Sequence, residues 1–135
     1  MAHKNAEIAI EQRLRSNWSH CPVFTENKET EQPANGQDAF LVLQFPFSDP
    51  QRWSVGTKLY REEGGFRIVI SVPRGIGVDL IRNWGEELRT LFLDVKFSGV
   101  ECKVPSDPLS DDRSDAGPYY TAYMVCPYIY QWRVA

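Results

Sequence analysis

Ser54-Val55-Gly56-Thr57-Lys58-Leu59-Tyr60-Arg61-Glu62-Glu63-Gly64-Gly65-Phe66-Arg67-Ile68-Val69-Ile70-Ser71-Val72-Pro73-Arg74-Gly75-Ile76-Gly77 is the stretch on which the reading of the fold turns. Its two runs, Ser54 to Tyr60 and Phe66 to Val72, are rich in β-branched and aromatic residues that suit a pleated surface. Between them, Gly64 and Gly65 can take positive φ, so Glu62-Glu63-Gly64-Gly65 reads as a turn with both glutamates in solvent. The expectation is a long hairpin, closed by Pro73-Arg74-Gly75 before a helix begins. Such a hairpin offers main-chain edges and side-chain faces to a neighbouring subunit. Arg61, Glu62, Glu63 and Arg67 are therefore the candidate assembly contacts, within a contact surface expected over Thr57 to Ile70.

Outward on the C-terminal side, Val78 to Phe92 places Ile81, Trp84 or Gly85, Leu88, Leu91 and Phe92 on one stripe opposite Arg82, Glu86 and Arg89, the pattern of an amphipathic helix. Gly85 inside that stripe costs helix propensity, which predicts a close backbone approach to the sheet. Val95 to Val104 then reads as extended, broken at Gly99. The last run, Pro118 to Trp132, alternates Tyr119, Thr121, Tyr123 and Val125 against Tyr120, Ala122, Met124 and Cys126, with Pro127 marking an edge or a bulge.

Outward on the other side, Ala39 to Phe47 is apolar on both faces over its first half, as a central strand requires, and Pro46 predicts the end of its ladder or a bulge. Asn27 to Asp38 is polar, with Pro33, Asn35 and Gly36, and reads as loop. Val23 to Glu26 forms a short extended piece. Ala6 to Trp18 reads as a surface helix, with Ala6, Ile8, Ile10 and Leu14 set against Glu7, Glu11 and Arg15. The order of elements is that of an α+β fold: a largely antiparallel or mixed sheet with a long protruding hairpin and two helices packed on one face.

The 135 residues suit one domain, and 42% hydrophobic with 13% aromatic content supports a packed core. A formal charge of −3 supplies no electrostatic footprint for wrapping duplex DNA. The start, Met1 to Asn5, lacks the apolar core of a signal peptide, and no apolar run approaches the roughly 20 residues of a membrane span. The chain is expected to stay in the cytoplasm in which it is made, with no membrane partner. Cys21, Cys102 and Cys126 have no paired spacing and read as reduced, buried small hydrophobes in or beside strands. His20 beside Cys21 has no further ligands at suitable spacing, so no metal is expected there.

Ser106 to Gly117 carries Asp107, Asp111, Asp112 and Asp115. Arg113 occupies the place of a second carboxylate and no closing glutamate follows, so the spacing of a calcium loop fails and a flexible, solvated acidic loop is the reading. No nucleophile elbow, triad or paired catalytic carboxylates are found, so no catalytic residue and no cofactor is expected. One enzyme or ligand-binding alternative uses Tyr119, Tyr123 and Phe66 as the wall of a pocket on an aromatic sheet face.

Taken together, Pro22 to Asn27, the Ala39 to Phe45 strand, the hairpin ending Val72-Pro73-Arg74-Gly75-Ile76-Gly77, the helix end Leu88 to Phe92 and the closing tyrosine-rich strand resemble the phage tail terminator-like family over nearly the whole chain. The resemblance implies a structural protein that forms a homo-hexameric ring on the finished tail tube, stops its polymerisation and presents a docking surface for the head-tail connector. It also implies the tail-tube protein and the connector as partners, DNA passing through the lumen without specific binding, and location in the virion tail after assembly in the bacterial cytoplasm. Another head-tail joining protein of the neck is the nearest alternative. The long acidic segment departs from the commoner pattern of the family.

Overall fold

The computed structural model describes residues 3–25, 39–52, 58–73, 75, 79–110 and 119–133. Along the chain run α1 (Lys4–Asn17), β1 (Val23–Thr25), β2 (Phe40–Arg52), β3 (Leu59–Pro73), α2 (Asp79–Phe92), β4 (Lys96–Phe97), β5 (Val100–Cys102), β6 (Leu109–Ser110) and β7 (Tyr119–Arg133). The strands form one mixed, mostly antiparallel sheet in the order β1-β2-β3-β7-β5-β4, with β6 also pairing with β7. Only β1 is parallel to its neighbour, lying beside Leu41 to Leu43 of β2. This is the expected α+β architecture.

Both helices lie on one face and bury their apolar stripes in a common core. From α1 come Ala6, Ala9, Ile10 and Leu14, and from α2 come Ile81, Trp84, Gly85, Leu88 and Phe92. They meet Leu41, Leu43 and Phe45 of β2, Phe66, Ile68, Ile70 and Val72 of β3, and Ala122, Met124, Cys126, Tyr128 and Tyr130 of β7. The period-two alternation of these strand residues identifies the covered face. Ile8, grouped with the apolar side in the sequence, is 40% exposed, and Ala9 takes its place in the stripe. His3 caps α1: its ring Nδ1 accepts from the Asn5 backbone N–H at 3.1 Å, while Glu7 in the first turn and Arg15 in the last complement the helix dipole.

A long hairpin is present, but it joins β2 to β3; the expected pairing of Ser54–Tyr60 with Phe66–Val72 is not formed, because Leu59–Pro73 is one continuous strand, and there is no turn at Glu62-Glu63-Gly64-Gly65. Those four residues run straight through the middle of β3, paired with β2 on one side and β7 on the other. The reversal lies between Arg52 and Leu59, where residues 53–57 fall outside those described. The glycines are needed for close packing across the sheet rather than for a turn. A Cβ on Gly64 would stand 2.8 Å from both the Phe47 carbonyl oxygen and the Tyr128 hydroxyl; one on Gly65 would stand 2.7 Å from Cζ of Phe47. Two aromatic side chains thus lie over adjacent glycines from opposite faces.

Other local expectations fare differently. The β2–β3 register shifts between Gln44 and Phe47, so Pro46 does sit in a bulge. Gly85 does mark a close approach, but to Pro108 just before β6 and not to the sheet itself, whose Met124 lies at ordinary contact distance. Gly99, at φ 84°, makes the turn between β4 and β5. Pro127, by contrast, neither ends nor edges its strand: β7 continues through it at the centre of the sheet, opposite Gly65. Its carbonyl accepts from Lys103 N–H at 2.9 Å; the reciprocal bond, which proline cannot donate, is not missed, because the Lys103 carbonyl accepts from Asp94 N–H at 3.0 Å.

The acidic segment is ordered at its start. Ser106 exchanges bonds with Val125, its N–H donating to the Val125 carbonyl at 2.9 Å and its hydroxyl accepting from the Val125 N–H at 3.0 Å. Asp107 pairs with Arg89 of α2 at 2.8 Å, and Leu109 and Ser110 join β7 as β6. The solvated loop is therefore shorter at this end than the sequence suggests. Asp111, Asp112 and Asp115 lie outside the described residues. All three cysteines are free thiols; Cys102 and Cys126 are buried in strands and Cys21 is half-buried, where it accepts from Trp18 Nε1–H at 3.3 Å. Burial pushes the Cys21 thiol up, and the neighbouring Cys102 together with burial pushes the Cys126 thiol up, which favours the protonated form of both.

Candidate assembly surface

The second face of the sheet carries no helix among the described residues. Its outer part is built from the second half of β2 with the facing parts of β3 and β7. Cross-strand pairing sets Phe47 opposite Gly65, Asp49 opposite Glu63 and Gln51 opposite Arg61, with Pro127, Ile129 and Gln131 continuing the same face on β7. Phe47 is 54% exposed, more than any other large hydrophobic side chain among the described residues. With Pro127 and Ile129 it lines a shallow concavity of about 450 Å³, edged by Asp49, Glu63 and Lys103.

The sequence-derived contacts divide between the two faces. Arg61 and Glu63 lie on the open face and pair at 3.0 Å. Arg67 lies there too, its Nε–H donating to Gln44 at 2.7 Å and its guanidinium 5.8 Å from the Tyr123 ring centre. Glu101 and Lys103 form a further pair at 3.1 Å, and that hydrogen bond and charge hold the Glu101 carboxyl below its usual range. Glu62 is different. It is 1% exposed and faces the helices, so it is no solvated turn residue.

Glu62 anchors the start of α1. Its two oxygens accept from the His3 backbone N–H at 3.2 and 3.1 Å, and Oε1 accepts from the Tyr128 hydroxyl at 3.2 Å. A carboxylate at a helix N-terminus is favoured by the helix dipole, which offsets part of the cost of burying it. Burial first, then the adjacent Glu62 charge, push the Tyr128 phenol well above its ordinary value. The His3 ring completes the cluster, 5.0 Å from the Tyr130 centroid and 4.7 Å from that of Trp132.

The aromatic pocket wall does not assemble. Phe66 is fully buried under the helices, whereas Tyr119 and Tyr123 lie on the other face of the sheet, Tyr119 packing edge-on against Phe40 at 5.2 Å. Sequence reasoning missed Phe47, Asp49 and Ile129. The available signal was Pro46: an aromatic residue just past a bulge-forming proline leaves the core register and turns to the opposite face. No group of three or more His, Cys, Asp or Glu residues suited to a metal ion occurs among the described residues.

A family model described as phage tail terminator protein matches residues 6–128, from the first turn of α1 to the tyrosine that holds Glu62. The chain belongs to this family. Tail terminator proteins are structural components of the phage tail, and membership places the chain in the virion tail in association with the tail tube. No curated protein matches the chain. One similar solved structure, identified only by a sequence label, covers 100% of this chain and 99% of its own length at 20% identity, with a TM-score of 0.58. At that identity it shows a shared fold and carries nothing about function.

Proposed function

We propose that the chain acts as one unit that closes the phage tail tube: copies form a ring on the tube end, stop further polymerisation and present the surface on which the head connector docks. The observation that carries this reading is the inequality of the sheet's two faces. One is covered by both helices; the other, beyond the Pro46 bulge, exposes Phe47 among charged residues, of which Arg61 pairs with Glu63 and Lys103 with Glu101. Phe47, Pro127 and Ile129, edged by Asp49, Glu63 and Lys103, have the apolar centre and polar rim of a protein contact surface. Arg61, Glu63 and Arg67 belong to its rim, where charges set register and association rate more than affinity. Glu62 supports the surface from behind.

Function of this kind needs neither a cofactor nor turnover. The net charge of −3 per copy also suits a lumen through which DNA passes, because a strongly basic wall would bind phosphates. The test mixes the protein with polymerising tail-tube subunits of its own phage and measures tube lengths by electron microscopy. Shortened tubes with density at one end are the expected result. Tubes that grow equally long with and without the protein, with nothing at their ends, would overturn the reading.

A further inference from the structure

We propose that neighbouring copies of this chain join by swinging the exposed Phe47 ring of one copy off Gly65, as a knob, into the groove beside α2 of the next. This rests on the ring reading and names the contact that closes the ring. The groove has a volume of about 660 Å³ and lies on the helix side of the sheet, with Ile81, Leu93 and Pro108 among its apolar lining and Arg82 and Arg89 at its rim. Leu93 is 40% exposed there. A cavity of this size is in the range that takes up a side-chain cluster or small ligand.

The two surfaces complement one another in charge at one pair of residues, Asp49 and Arg82. On the knob, Asp49 stands directly across from Glu63, and like charges opposite one another in a sheet are unfavourable. Arg61 pairs with Glu63 at 3.0 Å, whereas Asp49 is met on its own strand by the neutral amide of Gln51, which donates to it at 3.0 Å. In the groove, Glu86 and Asp107 accompany the arginines; Asp107 takes Arg89 at 2.8 Å. Arg82 reaches Asp79 at only 3.4 Å, with 74% and 91% of the two side chains exposed, an ion pair of little worth. Arg82 is thus the cation ready for an incoming Asp49.

Placement decides the symmetry. Knob and groove lie on opposite sides of the sheet, so their union is heterologous and joins copies head to tail, the arrangement that closes into rings. A face-to-face dimer through the knob would bring Asp49 and Glu63 against their own copies and is disfavoured by repulsion.

The experiment uses the full chain and three variants, Asp49→Arg, Arg82→Asp and the double variant, each shown to be folded by circular dichroism and thermal melting. Self-association is measured by light scattering over a concentration series, and end-capping of tail tubes by electron microscopy. Each single reversal is expected to weaken self-association by about tenfold, and the double variant to recover to within about threefold of the wild type. A wild-type ring that neither reversal weakens, or a double variant as weak as the singles, would overturn the contact while leaving the ring intact. Variants that form normal rings but leave tubes uncapped would assign the knob to the tube instead. A wild type that is a monomer both free and at tube ends would remove the ring reading itself, and this contact with it.

Discussion

Phe40 to Phe45 and Pro46 to Arg52 belong to the same strand and answer to different constraints. The first half has β1 on one side, β3 on the other and helices beneath, and every residue except the intermediate Gln44 is buried. The second half pairs with β3 alone among the described strands, and every residue except Ser48, which is intermediate, is exposed. The bulge at Pro46 separates them. The difference shows how one strand can serve two ends: the inner half is written in apolar residues because it must be dry, and the outer half is free to carry Phe47, Asp49 and Pro50 because it need only be extended.

The sharpest way to break that comparison is to truncate one apolar residue in each half. Leu41→Ala, at a fully buried site, is expected to cost about 2–5 kcal/mol in urea unfolding. Phe47→Ala, which removes a side chain already 54% exposed, should cost no more than about 1 kcal/mol. Equal losses would mean that the outer half belongs to the core.

A second contrast falls on the adjacent glycines where the outer half meets β3. Gly64→Ala drives a methyl group against the fixed Phe47 carbonyl and the buried Tyr128 hydroxyl at 2.8 Å, and is expected to cost about 1–3 kcal/mol. In Gly65→Ala the obstacle at 2.7 Å is the far end of the exposed Phe47 ring, which can swing aside, so the loss should stay below about 1 kcal/mol. Thermal unfolding of the two variants side by side tests the order; its reversal would show that Phe47 is held rigidly even without a partner.

The smallest expected effect concerns pH. Tyr128 titrates higher in the folded chain than the ordinary 10.0, so above about pH 10 the unfolded chain loses this proton first. Fewer protons on the unfolded state make stability fall as pH rises, and the contribution of Tyr128, complete below about pH 10, is lost on the alkaline side. Tyr128→Phe should therefore lose less stability than the wild type between about pH 9 and pH 11. Identical alkaline slopes in denaturant titrations would show that burial and the Glu62 charge do not hold the phenol protonated.

Much of this architecture is legible in the sequence because burial leaves periodic traces. The stripes of Ile10 with Leu14 and of Ile81 with Leu88 give both helices, and Tyr120 to Cys126 gives the alternation of β7. Gly99 is also read correctly, since it interrupts a clear pattern, and Gly85 is read as a close approach, though the neighbour is Pro108 and not the sheet. Glu62-Glu63-Gly64-Gly65 misleads because paired glycines signal a turn unless something outside the window needs their empty space. Here Phe47 and Tyr128 need it, and neither is near in sequence. Glu62 is hidden for the same reason: its partners, His3 and Tyr128, lie far away on both sides. The outer half of β2 escapes notice because Asp49 and Pro50 are poor strand formers. Proline is tolerated on an edge, where half of the main chain has no ladder to complete.

The position of β7 in the sheet bears on the order of events during synthesis. It is the last strand of the chain yet lies at the centre, pairing with β3 from Pro73 with Tyr119 at one end to Leu59 with Arg133 at the other. A chain still emerging from the ribosome can form the β2–β3 hairpin, but it has nothing to place against the far edge of β3 and no hydroxyl to complete the site around Glu62. Contacts of such long sequence separation form slowly, because loop closure precedes the gain from pairing. An unfinished chain therefore cannot hold α1 in its final place, and the surfaces on either side of the sheet acquire their shape only once the closing strand has been added.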